Sequence, residues 1–250
     1  NTMSDTFATI IMAAGKGKRM RNDLPKVLHP LAGRPLVHYV IELARSVGSE
    51  RILLVIGHGS DLVREATRGL NVEWVVQERQ LGTGDAIKSC RRDLAGFGGD
   101  VLILSGDVPL LQPTTVERAW SLHRESGAAA TVLTFKPEDP TGYGRIIRGE
   151  SGELLSIIEQ KDVGTGMLKS DEVNSGVYFF RIEPLFQALD RISNRNAAGE
   201  YYLTDTISVL ADSNEPLAAF LVEDPLEVAG VNTPQQLSRL EQKLILRRGD

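Results

Sequence analysis

Apolar residues in this chain arrive in short unbroken blocks. "FATIIMA" (7–13), "RILLVIG" (51–57), "VEWVV" (72–76), "VLILSGD" (101–107) and "AATVLTF" (129–135) show little alternation with polar residues. A strand covered on both faces has no polar side, so these blocks predict strands of a parallel sheet beneath two helical layers. Between them the period lengthens. Val37, Val40, Ile41 and Ala44 share one helical face, and Gly48 closes that helix. "DLVREATRG", "TGDAIKSCRRDLAG" and "TTVERAWSLHRESG" predict further helices. Strands alternating with helices imply right-handed crossovers, hence an α/β, doubly wound, mostly parallel, Rossmann-like sheet.

The second half departs from that rhythm. "GRIIRGESGELLSIIEQKD" predicts a β-hairpin turning at Glu150–Glu153, in what would be an added lobe. "VNSGVYFFR" and "AAFLVED" predict strands, with short helices at "PLFQALDRI" and "TDTISVLAD". A last helix has a strong start: Thr233 as cap, Pro234 in the first turn and Gln236 completing a capping box. Leu237, Leu240 and Leu244 form its apolar stripe, free to pack on this domain or to await a partner. Residues 1–6 are expected to be a disordered N-terminus or a cloning remnant, since Asn1 and Thr2 precede Met3. Residues 7–232 then form one domain and residues 233–250 its C-terminal helix.

The chain has 250 residues, a formal net charge of −5 and one cysteine. That charge argues against a nucleic-acid surface, and no stretch is apolar enough to span a membrane. Cys90 alone can form no internal disulfide, which fits a reducing, cytoplasmic setting. On a helical pattern it reads as a packing residue, not a nucleophile. Against the acidic background, Lys16, Lys18, Arg19, Arg21 and Lys26 form a local cationic cluster.

Ligands of open α/β sheets bind beyond the carboxyl ends of the strands. There this chain places Ala13-Ala14-Gly15-Lys16-Gly17-Lys18-Arg19, "QERQLGTGDA" and Gly106-Asp107. Glycines let backbone N–H groups approach a phosphate and cations neutralise it, although a plain glycine turn with solvated lysines fits the first segment as well. The dinucleotide fingerprint fails at Met20, where its third glycine is due. The P-loop fails because neither Lys16 nor Lys18 precedes a hydroxyl residue. Pro25 stiffens the backbone that presents Lys26. Asp107 suits either a helix cap or a Mg²⁺ ligand, an ion usually held by one or two carboxylates plus substrate phosphates. His29, His38, His58 and His123 have no metal-ligand spacing.

"AAGKGKRMRNDLPKVLHPLAGRPL", "QERQLGTGDA", "SGDVPLL", "PTGYGRI", "EQKDV", "NSGVYFF", "NAAGEYYLTD" and "VAGVNTPQQLSRLE" follow one another in this order. In these motifs, from about Phe7 to Arg247, the chain resembles the bacterial N-acetylglucosamine-1-phosphate uridylyltransferases. More broadly it resembles sugar-nucleotide pyrophosphorylases of the nucleotidyltransferase type. The resemblance implies that UTP and N-acetylglucosamine 1-phosphate give UDP-N-acetylglucosamine and pyrophosphate, with Mg²⁺ as cofactor. It implies nucleotide binding by Ala13, Ala14, Gly15, Gln77, Gln80, Gly82 and Thr83. Catalytic roles fall to Arg19, on the leaving pyrophosphate, and to Lys26, where the sugar phosphate meets the α-phosphate. Asp107 and Asn232 match the metal ligands, and Gly144, Glu159, Asn174, Tyr202 and Thr204 the amino-sugar contacts. Lys18 departs from the family, which usually has threonine there. The resembled enzymes continue into a hexapeptide-repeat acetyltransferase domain that forms trimers. No such repeat occurs in these residues, so acetyl transfer is not expected of them and the oligomeric state is left open.

Residues alone also allow blander roles. Glu159 suits an exposed strand, Tyr202 core packing, and Asn174 and Asn232 turns. Another sugar-1-phosphate nucleotidyltransferase, taking glucose 1-phosphate with UTP or dTTP, is the nearest alternative. A non-catalytic nucleotide-sugar-binding module is a further one.

Overall fold

The computed structural model describes residues 6–15, 20, 23–164 and 170–248. Residues 1–5 of the expected disordered N-terminus or cloning remnant, with Lys16, Lys18, Arg19 and Arg21, lie outside them. The chain opens with β1 (Phe7–Met12), a small hairpin of β2 (Pro30–Leu31) and β3 (Arg34–Pro35), and helix α1 (Leu36–Ser46). Strand–helix units follow: β4 (Ile52–Ile56) with α2 (Ser60–Ala66), β5 (Glu73–Val76) with α3 (Thr83–Lys88), and β6 (Asp100–Ser105) with α4 (Pro113–Glu125). Then come β7 (Ala130–Phe135), the hairpin β8 (Arg145–Arg148) and β9 (Leu154–Ile158), and β10 (Val173–Arg181). Helices α5 (Ile182–Leu189) and α6 (Asp205–Asp212), strand β11 (Leu217–Leu221) and helix α7 (Pro234–Arg248) complete it.

The main sheet runs β11-β7-β10-β6-β1-β4-β5. Strands β6, β1, β4 and β5 are parallel neighbours, as are β7 and β11. Ile10 pairs with both Leu53 and Ile103, and no exposed surface remains on Ile10 or Ile11. Adjacent side chains point to opposite faces, so each needs its own cover. Ile10 packs in a core with Ala86 and Ile87 of α3, Leu185 of α5 and Ile207 of α6. Ile11 packs in a second core with Val40 and Ile41 of α1 and Val116 of α4. Burial from both sides thus explains the apolar blocks of β1, β4, β6 and β7, whereas β5, at the edge of the sheet, departs from the expectation with Trp74 40% and Val76 46% exposed.

Two expectations are refined. The helix predicted over 83–96 ends at Lys88. Cys90 N bonds to Ile87 O and Arg91 N to Lys88 O, a tighter i→i−3 pattern, while Ser89 Oγ donates back to Asp85 O. Cys90 is buried in the core, and burial pushes its thiol far up, as suits a packing residue. Second, β10 enters antiparallel between β6 and β7, which are parallel-crossover neighbours in the sequence pattern.

The capping box forms. Gln236 N donates to Thr233 Oγ1 at 3.2 Å, and Thr233 N donates back to Gln236 Oε1 at 3.1 Å. The apolar stripe of α7 packs on its own domain: Leu240 is buried with Met20, Leu31, Leu36, Leu110 and Val231, and Leu237 and Leu244 pack against that cluster. Among the described residues no helix is long and apolar enough to cross a membrane.

Candidate active site

Beyond the carboxyl ends of β1, β5 and β6 opens a cleft of about 540 Å³. All seven expected nucleotide contacts line it: Ala13, Ala14, Gly15, Gln77, Gln80, Gly82 and Thr83, together with Lys26 and Asp107. Its walls depend on close backbone approaches. Gln80 Nε2 donates to Ala14 O at 3.0 Å, tying the second wall to the first. Gly82 has φ +109°, and a Cβ there would lie 2.6 Å from Tyr201 O. Only glycine adopts this conformation beside that carbonyl without displacement.

The floor holds a charge pair. Lys26 sits at the start of a 3₁₀ turn (Lys26–Leu28) that follows Pro25. Its ammonium donates to Asp107 Oδ2 at 2.6 Å and to Asn232 Oδ1 at 3.0 Å. Asp107 Oδ1 accepts from Ser105 Oγ at 2.7 Å, a residue the sequence reading passed over although it opens the "SGD" motif. Asp107 and Lys26 are 10% and 20% exposed in their side chains, and among the described residues each is the other's ion-pair partner. A carboxylate oxygen and an amide oxygen therefore converge on one cation. Hard oxygen donors of this kind suit Mg²⁺. Two of them are too few for a protein cage but enough for an ion that arrives with phosphates. Among the described residues no cluster of three or more His, Cys, Asp or Glu could hold a metal by itself. Arg19 lies outside the described residues.

The expected sugar contacts gather in a second place, around the β8–β9 hairpin, the start of β10 and the start of α6. Asn174 N donates to Gly144 O at 2.9 Å. β10 bulges between Asn174 and Tyr178, where Gly176 has φ +81°. The bulge turns Asn174 so that its Nδ2 donates to the Tyr178 hydroxyl at 2.6 Å and its Oδ1 accepts from Gly176 N at 3.0 Å. Glu159 is no exposed strand residue: it is partly buried and accepts from Thr204 Oγ1 at 3.0 Å. Burial raises its carboxyl above the usual range, and the Thr204 bond opposes the shift. Tyr202 is buried, and desolvation with Asp162 and Glu159 nearby pushes its phenol up to about 12.

A strap joins the two places. Tyr201 N donates to Leu81 O at 2.7 Å, Gly84 N to Tyr201 O at 2.8 Å, and Leu203 N to Thr83 Oγ1 at 2.9 Å. The glycine wall of the cleft and the "GEYYLTD" segment thus form one unit. None of the four histidines enters the site. His123, for example, is fully buried against Trp120 and Phe179, with Nδ1 2.8 Å from Thr131 Oγ1.

Asp205, the first residue of α6, was also passed over. Burial and then the charges of Glu159 and Asp162 push its carboxyl up to about 6. A raised carboxyl favours the protonated fold, so this contribution is complete below the ordinary value of 3.8 and is lost as pH climbs towards about 6. Asp205→Asn should therefore gain stability over the parent across that window and differ little below it. Urea midpoints measured as a function of pH would read this out, and a constant difference at every pH would contradict it.

Comparison with known proteins fits this geometry. The chain is 46% identical to the bifunctional protein GlmU of Koribacter versatilis over 99% of its own length and 53% of that protein. It is 49% identical to the bifunctional protein GlmU of Geobacter metallireducens over 93% of its own length and 49% of that protein. The chain therefore spans about half the length of the curated relatives it matches. The crystal structure of UDP-glucose pyrophosphorylase complexed with UDP-glucose superposes with a TM-score of 0.76. That match covers 97% of this chain and 99% of the other at 18% identity, a likeness of fold. The sequence profile of the MobA-like NTP transferase domain matches residues 9–199, well over half of the chain, and the chain belongs to that family of nucleotidyltransferases.

Proposed function

We propose that the chain transfers a uridylyl group from UTP to N-acetylglucosamine 1-phosphate, giving UDP-N-acetylglucosamine and pyrophosphate. The observation that carries this reading is the strapped pair of subsites. A cleft lined by the seven nucleotide positions, with Lys26 and Asp107 at its floor, is joined through Thr83 and Leu203 to the segment whose Thr204 bonds Glu159.

In the proposed reaction a phosphate oxygen of the sugar phosphate attacks the α-phosphorus in line. A new P–O bond forms, the bond to the β-phosphate oxygen breaks, and its electron pair leaves with pyrophosphate. The attacking oxygen is already anionic, so no general base is required. The difficulty is bringing one anion against another, which makes positioning and charge neutralisation the main contributions of the protein. Lys26 would neutralise charge where the two phosphates meet, and Arg19 would hold the departing pyrophosphate. Asp107 and Asn232 would hold Mg²⁺, which when bound supplies further charge neutralisation on the phosphates. The partly buried Glu159, its buried partner Thr204 and Asn174 would bind sugar hydroxyl and acetamido groups. Polar groups withdrawn from much of the solvent penalise a ligand that leaves them unpaired.

The test is pyrophosphate release with UTP and Mg²⁺ from N-acetylglucosamine 1-phosphate, glucosamine 1-phosphate and glucose 1-phosphate in parallel. Release with the acetylated sugar alone is expected. Preference for glucose 1-phosphate would overturn the sugar assignment, and release from none would overturn the reaction.

A further inference from the structure

Gln77 follows β5, lines the cleft and is only 5% exposed. Its amide nitrogen donates to Asp85 Oδ2 at 2.7 Å and to Gly82 O at 3.2 Å. A carbonyl oxygen and an ionised carboxylate can only accept. Turning the amide over would set its own oxygen against two other oxygens, one of them charged. The orientation is therefore fixed by the partners. Both hydrogens of the nitrogen are used, and among the described residues Gln77 Oε1 has no hydrogen-bond partner. It is the amide atom left for a ligand in the cleft.

We infer that Asp85 is a specificity-determining positioning residue, holding the Gln77 amide so that the cleft offers the nucleobase an acceptor and never a donor. The inference rests on the reading that this cleft takes the base of a nucleotide. A base edge facing Gln77 Oε1 must bring an N–H. Uracil and thymine carry one at N3, whereas cytosine has a bare acceptor at the same position of a ring of equal size. Acceptor against acceptor leaves two polar atoms unpaired beside a side chain that water barely reaches. Sites built around one such hydrogen bond reject the unmatched analogue by as much as roughly 10⁴-fold. Asp85 lies in the first turn of α3, whose Ala86 and Ile87 are buried in the core. The helix position thus does not depend on the carboxylate, which is free to serve Gln77.

The test compares UTP with CTP, by pyrophosphate release and by calorimetric binding, in the parent, Asp85→Asn and Asp85→Leu. Asparagine matches the shape of aspartate but can turn its amide to donate, which removes the closer and charged of the two constraints and leaves only the Gly82 carbonyl opposing a turn of Gln77. The expected result is a UTP-over-CTP ratio at least about tenfold lower in Asp85→Asn, partly through a gain with CTP, at an unchanged melting temperature. Leucine can accept no hydrogen bond and should also lower the ratio, here through loss with UTP. Equal proportional losses for both nucleotides would mark a purely structural role and overturn the inference. So would an unchanged ratio, or a parent protein that binds UTP and CTP equally. A parent that binds UTP selectively yet releases no pyrophosphate would sink the proposed reaction and leave the base preference standing.

Discussion

Lys26→Ala should lower kcat for pyrophosphate release by roughly 10²- to 10³-fold, the range found when one preorganised contact to developing charge is removed. The reason is the place of Lys26 rather than its charge alone. Its ammonium sits 2.6 Å from Asp107 and 3.0 Å from Asn232, held there by a turn that Pro25 starts. A solvated lysine elsewhere on the rim would give only a screened interaction. Removing Lys26 also leaves a largely buried carboxylate without its counter-charge. The variant should therefore melt lower than the parent without divalent cation and regain part of the loss when Mg²⁺ is added. Near-normal turnover would show that the position assigned to Lys26 is wrong.

Asp107→Asn should be comparably damaging, and for a separable reason. Asparagine keeps the size of the side chain and can keep the contact from Ser105 Oγ, but it removes the charge that attracts a cation. Turnover should fall by roughly 10²-fold or more, and Mn²⁺ binding to the protein in the presence of UTP, measured by calorimetry, should weaken in step. Because Lys26 and Asp107 touch, their effects should not add. The double variant should be about as slow as the worse single variant, since each substitution already disables the same unit. A strictly additive loss would mean that the two residues act on different steps.

Much of this was legible in the residues because the signals were local. Two-face burial leaves a continuous apolar strand, which is why β1, β4 and β6 could be read from Ile, Leu and Val alone. The capping residues of α7 act within four positions of one another, so Thr233, Pro234 and Gln236 announced that helix. Residues after the strand ends line the cleft because the sheet delivers them there. What the sequence hid depends on partners far along the chain. No local feature of "VNSGVYFFR" tells that it runs antiparallel between β6 and β7. Glu159 looks like a surface residue until Thr204 closes on it. Asp85 looks like a helix-start carboxylate, and only the fold shows that it bonds Gln77. The length of α3 was missed for the opposite reason: Ser89 and Cys90 redirect hydrogen bonds within a single turn, below the reach of periodicity.

The antiparallel strand β10 has a consequence for synthesis. It pairs with β6, β7 and β8 at once, and it lies some seventy residues after β6. On a ribosome the strands up to β7 emerge first, so β6 can join β1, yet its other edge and the facing edge of β7 stay open until residues 173–181 follow. For that interval the nascent chain carries a part-sheet with an open apolar edge at β6, and an unpaired apolar strand at β7. Such edges recruit other chains, and closing so long a loop is slow. The window of greatest exposure to aggregation therefore ends with one strand, and pauses or stops in translation before it should be more harmful than any after it.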